Sequence, residues 1–534
     1  MGHRVRLNEA MPEASVEAAS AGHHQRRFVT NVLWSWSGVA ASLFQGIIIT
    51  RIVIRRLGPE HYGIWALIFS ILDYFWFFDL GLNPAITNFC ARFLATKDDR
   101  KINETISTAL FYFSIIGVMV CCLAPLVSIY GPRFFRVEPR DQREFSTLML
   151  MTCLSWGLCI TVHLFVSALD GFQRFDLTSR VMVLQVVLRS AGYFIALETG
   201  HGLVMMAGVF IATQILAYAL NFLNFRRVFP QLRISPVFVK LSMFQDILRY
   251  GIKSFVASGS TLVLQQGGPL TIGHFLGETA VGFYGLPSRL LLQAIDAIVR
   301  VGLVTRSSAA ELSVTGRRES VIALGVYSNR YSLTLFMPLA CFMLIWGRAL
   351  ILRWVGPQMA DNSGPLLPIF LLSYSLVLAA QFNSSSLLFG VGSHGGYARG
   401  LVVEAVCYVG ALAVVVPRYG IIGAAWVSAV MMIAVRGIYT PWLVSQALET
   451  PFVSYMWEIY VRPLLAGVPV VVVGWALKHS FLPGQTWTEL IAAGAVCGAL
   501  YAAIAVFACI APQHRALFFS RIPVLGPRLV PNRA

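Results

Sequence analysis

About fourteen apolar runs, each close to the ~20 residues that cross a bilayer as a helix, follow one another along this chain. They cover roughly 28–54, 62–95, 106–130, 145–169, 175–197, 203–225, 247–275, 281–305, 321–346, 365–389, 396–416, 421–443, 460–477 and 487–510. The strands of a membrane barrel would be about half as long and would alternate polar with apolar residues. These runs do neither, so the sequence predicts an all-α polytopic membrane protein. Composition agrees: of 534 residues, 57% are hydrophobic and only 12% charged, whereas a soluble domain needs about 25% charged residues to stay wet. The same numbers exclude a disordered chain and a secreted disulfide scaffold. The nine cysteines fall in apolar runs without CxxC spacing, so they read as small apolar filler and no metal site is expected.

Charge orients the runs. Residues 1–27 are polar, with Arg4, Arg6, Arg26 and Arg27, and lack the apolar core of a cleavable signal. With this segment in the cytoplasm, the tails and even-numbered loops hold roughly twice as many Lys and Arg as the odd-numbered loops. The basic clusters are Lys97–Arg100–Lys101, Arg226–Arg227–Arg233–Lys240 and Arg317–Arg318. Both termini are therefore expected in the cytoplasm. A net charge of +16 is explained by loops facing an anionic leaflet, with no nucleic acid required.

A pattern recurs within the chain. Leu57-Gly58, Tyr62-Gly63 and Trp65-Ala66-Leu67 return as Leu276-Gly277, Val281-Gly282 and Tyr284-Gly285-Leu286, shifted by 219 positions without a gap. Gly192 and Gly202 match Gly410 and Gly420 one residue off that shift. Helices one to six thus map onto seven to twelve with the same direction through the membrane. This is the parallel-repeat plan of some secondary transporters, whose substrate site lies between the halves. The expected organisation is a disordered cytoplasmic tail (1–27), an N-bundle of helices one to six (28–227) and a cytoplasmic linker (228–246). A C-bundle of helices seven to twelve (247–447), two added helices (448–511) and a cytoplasmic tail (512–534) complete it. The two bundles are expected to be pseudo-symmetric around a central cavity.

Ionisable groups at membrane depth are costly against lipid, so they mark cavities or partners. In helix eight, Arg289, Gln293, Asp296 and Arg300 are spaced i, i+4, i+7 and i+11. At about 100° per residue they form one stripe, spanning about 16 Å of depth. Two readings stand: a cationic site for a phosphate-bearing substrate, because guanidinium forks pair with phosphate oxygens, or a structural ion pair between Asp296 and Arg300. Arg249 and Lys253 begin helix seven one turn apart, as a basic mouth or as snorkelling side chains. Asn31 and Ser35 give helix one a polar face, which suits either a cavity wall or close helix packing. Arg189 stands in mid-helix. In helix two, Asp73 and Asp79 precede Gly81 and Pro84, where a helix breaks. With Asp296, these two carboxylates are candidates for ion coupling, against the simpler role of satisfying a helix break. Arg51, His274, Arg330, Glu404 and Arg436 are weaker candidates.

The sequence carries no P-loop, HExxH or GxSxG motif, and its longest odd-side loop, about 14 residues, is far below the ~100 of a catalytic domain. The chain is therefore expected to be neither an enzyme nor a cofactor protein. Over 51–98 it resembles the polysaccharide-transport and O-antigen flippase family of the MATE-like (MOP) superfamily. The carriers are Leu57-Gly58 with Tyr62-Gly63-Ile-Trp65-Ala66-Leu67, then Asp79-Leu80-Gly81-Leu82 and Asn88-Phe-Cys-Ala-Arg92-Phe. The second copy from Leu276 looks like the family's second lobe. The resemblance implies two six-helix bundles in a V around a cationic cavity in the bacterial inner membrane. It implies alternating access for a polyprenyl-pyrophosphate-linked glycan, coupled to protons, sodium or membrane potential, beside polymerase and chain-length machinery. The alternatives within the superfamily are a cation-coupled multidrug antiporter and a lipid II flippase. Outside transport, a membrane scaffold for glycan enzymes is the remaining reading, and it needs no buried charge stripe.

Overall fold

The computed structural model describes residues 45–314, 318–393 and 395–515. Side chains are described except at 253, 254 and 257, and between 296 and 314 only at 305, 309 and 312. The described residues form helices and short turns and contain no strand. We number the helices α1 (45–57), α2 (59–95), α3 (Asp99–Phe134), α4 (Gln142–Gly171), α5 (Phe175–Glu198), α6 (Gly202–Val228), α7 (Leu241–Leu276) and α8 (Glu278–Val314). Then follow α9 (Arg318–Val355), α10 (Pro357–Gly390), α11 (395–419), α12 (421–447), α13 (Phe452–Ser480) and α14 (Trp487–Ala508). Among the described residues, ten stretches are long and apolar enough to cross a membrane, two of them holding a pair of helices joined at a glycine. α7 and α8 are the exceptions, because they carry the polar residues singled out above. The protein is a multi-pass membrane protein.

Several helices outrun their apolar segments. α3 spans 36 residues, about 54 Å at ~1.5 Å per residue, while its apolar run covers about 25. An apolar run reports bilayer thickness. The helix itself continues into water wherever a polar side chain such as Asp98 caps it, here by accepting from the Lys101 amide.

The N-bundle packs α3 on α4, α4 on α6 and α5 on α6; the C-bundle packs α7 on residues 395–432 and α8 on residues 380–390. α13 and α14 lie against α9. A buried polar network fixes α13 there. Asn329 donates to Ser384 at 2.8 Å and to Tyr455 at 3.1 Å, Asn383 donates to Ser332 at 2.9 Å, and Arg330 pairs with Glu458.

The duplicated motif is where the bundles touch. Gly58 and Gly277 both take left-handed backbone, φ 90° and 84°, which a side chain disfavours, and each turns the chain from one helix into the next. Five residues on, Gly63 and Gly282 face each other across the bundle boundary. A Cβ on Gly63 would lie 2.0 Å from the carbonyl oxygen of Glu278, and one on Gly282 would lie 3.2 Å from that of Pro59. Pro59 and Glu278 are themselves repeat mates, so the two contacts are reciprocal, as across a two-fold axis. Around this point Arg55 donates to Arg353 O at 2.9 Å, Trp354 to Ile47 O at 3.1 Å, Arg136 to Phe275 O at 3.2 Å and His274 to Phe134 O at 2.8 Å. The bundles are thus sealed at the Gly58/Gly277 end.

Toward the opposite, basic end, α7 leaves the C-bundle and leans on the N-bundle. Gly81 meets the Gly251 backbone, Phe89 packs edge-on against Tyr250, and Tyr112 packs on Phe244. The segment leading into α7 is tied to α3, where Asn103 accepts from the Arg233 amide at 2.7 Å. The repeat is not perfect. α2 breaks at Leu80 and Gly81, φ 48° and 75°, whereas α8 is helical through the equivalent positions 299 and 300.

Gly63→Leu should pry the bundles apart at the sealed end, because a backbone oxygen cannot yield as a side-chain tip can. Spin labels at the exposed positions Arg143 and Asn362, in a background without the nine native cysteines, should then report a longer distance by double electron–electron resonance. An unchanged distance would contradict the seal.

A candidate substrate cavity between the two bundles

Below the glycine contact the bundles separate around a cavity of about 430 Å³. Gln45, Asp73 and Arg189 line it from the N-bundle; Gln266, Arg289 and Gln293 line it from the C-bundle. An aromatic wall of Tyr62, Trp65, Phe69, Tyr193 and Phe210 completes it. Trp65 packs edge-on against Tyr193 at 5.8 Å and Phe69 against Phe210 at 5.1 Å.

Each polar group is aimed by its neighbours. Arg189 comes from α5 and is held by α6: Nε donates to Thr213 Oγ1 at 3.1 Å and Nη2 to Gln214 Oε1 at 2.8 Å, with the guanidinium 4.5 Å over the Phe210 ring. Gln185 shares the Gln214 acceptor at 2.8 Å. All these partners are neutral, so Arg189 keeps its full charge toward the cavity. Arg289 lies within electrostatic reach of Tyr62 and Asp73. Asp73 accepts from Gln266 Nε2 at 2.7 Å, a bond that crosses between the bundles. The Gln293 amide rests on Gly46, where a Cβ would come within 2.5 Å of Nε2. Gln45 Nε2 is buried with no hydrogen-bond partner, a donor left for whatever enters.

Asp73 also borders two further spaces. One, of about 550 Å³, runs toward the basic end between α2, α7 and residues 385–401 and is lined by Trp76, Phe77, Asp79 and Phe255. The other, about 170 Å³ inside the N-bundle, holds His163, whose ring sits edge-on to Trp76 and Tyr218. Asp79 is differently placed. Its Oδ1 accepts from Asn83 Nδ2 at 2.6 Å and from the Asn83 amide at 3.2 Å, and Asn83 Oδ1 accepts from Ser167 at 2.7 Å. It satisfies the donors freed by the break in α2 as well as facing the 550 Å³ space.

Of the residues singled out in the sequence, Arg189, Arg289, Gln293 and Asp73 come together in one cavity, and Asp79 lies in the adjoining one. Arg249 is exposed on the basic half of α7 and lines neither. Asn31 and Ser35, and the side chains of Lys253, Asp296 and Arg300, lie outside the described residues. Among the weaker candidates, Glu404 and Arg436 pair at 3.0 Å inside the C-bundle. Arg51 stacks on Trp487 and Arg330 pairs with Glu458. The cavity residues that sequence reasoning passed over are Gln266, Tyr62 and Trp65. Gln266 lies between Gln265 and Gly267 on α7, where no spacing singles it out; Tyr62 and Trp65 belong to the repeated motif, which reads as pattern.

The sequence family described as "Polysaccharide biosynthesis protein" matches residues 28–306, more than half of the chain. The chain belongs to the polysaccharide biosynthesis protein family. The membrane protein EpsK of Bacillus subtilis (strain 168) is 22% identical over 518 residues, which covers 93% of this family member and 98% of EpsK. A Shigella flexneri protein named for O-antigen transport is 21% identical over 407 residues, covering 74% of this chain and 93% of its own length. Among solved structures, the lipid II flippase MurJ in an inward closed conformation superposes with TM-score 0.72 at 12% identity, covering 92% of this chain and all of that one. An inward-facing multidrug resistance MATE family transporter of the MOP superfamily follows with TM-score 0.66 at 16% identity, covering 77% and 96%. These likenesses establish a MATE- and MurJ-like transporter fold.

The two carboxylates should separate experimentally. Asp79→Ala removes the acceptor that satisfies the break in α2 and should cost about 1–2 kcal/mol of stability, as loss of a helix cap does. Asp73→Asn keeps shape and the bond from Gln266, and should stay within about 0.5 kcal/mol of the parent. Thermal unfolding in detergent measures both; equal losses would contradict the division of roles.

Proposed function

We propose that this protein is a flippase that moves a polyprenyl-pyrophosphate-linked oligosaccharide across the bacterial inner membrane by alternating access, for assembly of a surface polysaccharide. The observation that carries the reading is the pair Arg189 and Arg289. One comes from each bundle, both line the same cavity, and the described ionic side chains there are two cations and one carboxylate. A pyrophosphate brings the anionic oxygens that two guanidinium groups bind in paired hydrogen bonds. Their placement on opposite bundles makes the substrate itself the link that draws the bundles together. A multidrug antiporter with cationic cargo would call for the opposite sign of charge. The relative named for O-antigen transport supports the glycan reading further, and the likeness to MurJ speaks to fold alone.

Size shapes the mechanism. Pockets of ~300–1,000 Å³ hold one drug-sized ligand, so about 430 Å³ suits a pyrophosphate and its first sugar. A whole oligosaccharide needs the bundles to part. With both termini cytoplasmic, the Gly63–Gly282 contact closes the extracytoplasmic end, and transport requires that contact to open. The aromatic wall offers ring faces to the C–H groups of a sugar, while the polyprenyl chain stays in the bilayer. Asp73, bridged to Gln266 across the bundles and open to three spaces, is the carboxylate best placed to couple closure to a proton or sodium ion. Glycan polymerase and chain-length machinery are the partners this function implies.

Arg189→Ala and Arg289→Ala should each cut glycan export at least tenfold, the order of one lost charge-assisted contact at ~1.5–3 kcal/mol, with normal membrane insertion. The measurement is complementation of a deletion strain, with accumulated lipid-linked intermediates identified by mass spectrometry. Full export by both variants would overturn the assignment. Asp73→Asn should change the pH or sodium dependence of export; an unaltered dependence would remove Asp73 as the coupling group.

A further inference from the structure

At the sealed end, the turn between α1 and α2 meets the turn between α3 and α4. His61 Nε2 lies 3.4 Å from Glu144 Oε2. Asp141 joins them, so that one ligand atom from each of the three side chains lies within 4.8 Å of the other two. Asp141 is only 7% exposed, yet its Oδ2 is buried without a hydrogen-bond donor. A buried ionised oxygen without a donor costs more than the ~1–3 kcal/mol of a neutral group, so this one calls for a cation. Arg140 does not fill that place. Its Nε stands 3.5 Å from Asp141 Oδ2, while its shorter contacts go to Glu138 at 3.0 Å and Glu60 at 2.9 Å, and its side chain is 60% exposed.

The surroundings are acidic in a chain whose net charge is +16. Glu60 and Glu138 stand on the N-bundle side, and the buried Glu278 of the C-bundle feels both Glu138 and Asp141. Apart from Arg140 and His61, no cation pairs with this group among the described residues.

We propose that His61, Asp141 and Glu144 form a divalent-cation site. One imidazole and two carboxylates suit a first-row ion such as Zn²⁺ or Mn²⁺. The 3.4 Å between His61 and Glu144 is about the edge of a tetrahedron with ~2.1 Å bonds, and a rotation of the Asp141 side chain brings in the third ligand. His61 is two residues from Gly63, so the ion fastens the segment that carries the N-bundle's half of the reciprocal glycine contact onto the start of α4. The site lies apart from the substrate cavity and does not depend on the flippase reading.

The test uses the full-length protein in lipid nanodiscs, without a polyhistidine tag, stripped by chelator and titrated with Mn²⁺ alone. Electron paramagnetic resonance counts the bound ion, and thermal unfolding with and without Zn²⁺ gives a second readout. About one ion per chain is expected, with an unfolding temperature raised by the ion as mass action requires. His61→Gln, Asp141→Asn and Glu144→Gln should each weaken binding at least tenfold, the order of loss seen when even an outer partner of a metal ligand is removed, and abolish the Zn²⁺-dependent rise. The chelated variants should unfold near the chelated parent. No ion bound by the parent, or binding that survives both Asp141→Asn and His61→Gln, would overturn the site and leave a plain His61–Glu144 ion pair. His61→Gln and Asp141→Asn are near-isosteric, so failure of one to fold leaves the other to decide.

Discussion

An ionic side chain inside a bilayer-thick body is stable only beside a partner or beside water, and that constraint divides the buried charges here into two kinds. Arg330 with Glu458 and Glu404 with Arg436 are ion pairs. Breaking such a pair is costly, and its charge is spent on its partner. Arg189 and Arg289 are held differently. Thr213, Gln214 and the Phe210 face orient Arg189 without neutralising it, and among the described side chains Arg289 shares with it a single carboxylate in the cavity, Asp73. Only a wet gap tolerates that surplus, and the gap between the bundles supplies it. The architecture around it can be understood as what keeps such a gap open at one depth and sealed at another.

The seal follows from the duplication. Two copies of one motif, related by an approximate two-fold axis, place Gly63 against Glu278 and Gly282 against Pro59. A contact of this kind is self-complementary by construction, so a single glycine in the ancestral unit provides both halves. Backbone against backbone packs closely and leaves no side chains to rearrange, which suits a joint that must open and close. Away from the axis the copies diverge. α2 breaks and carries Asp79; α8 stays helical. The N-bundle pair Gln185–Gln214 has at position 185 the repeat mate of Glu404, which pairs with Arg436 instead. The N-bundle's α5–α6 pair thus aims Arg189 at the gap, whereas in the matching region of the C-bundle Arg436 is paired with Glu404 and Arg289 of α8 supplies the second cation.

Much of this was legible in the sequence, for definable reasons. Apolar runs report bilayer crossings because lipid imposes one length, and they misjudge helix ends because lipid says nothing about what happens in water. The Arg289–Gln293 half of the stripe on α8 and the break in α2 were visible because both are local in sequence. The convergence of Arg189 with Arg289 was not, since their meeting depends on how two bundles tilt. The bridge from Gln266 to Asp73 joins residues on different bundles, and no spacing rule relates them. The same holds for His61, Asp141 and Glu144, which fall in the first turn of α2 and at the start of α4, about 80 residues apart, and match no metal-binding pattern. Asp79 shows the converse. A carboxylate beside a helix break reads as a titrating group or as a partner for the freed donors; here Asn83 occupies one of its oxygens while the side chain still faces one space, and Asp73, six residues earlier, borders three.

The central claim is that two arginines from opposite bundles receive the phosphates of a lipid-linked glycan. A cryo-electron microscopy structure of this protein in nanodiscs with a polyprenyl-pyrophosphate-linked oligosaccharide tests it most directly. Pyrophosphate density is expected between the Arg189 and Arg289 guanidinium groups, with the first sugar against Trp65 and Tyr193. Phosphate density bound elsewhere, with both guanidinium groups turned away from it, would contradict the account.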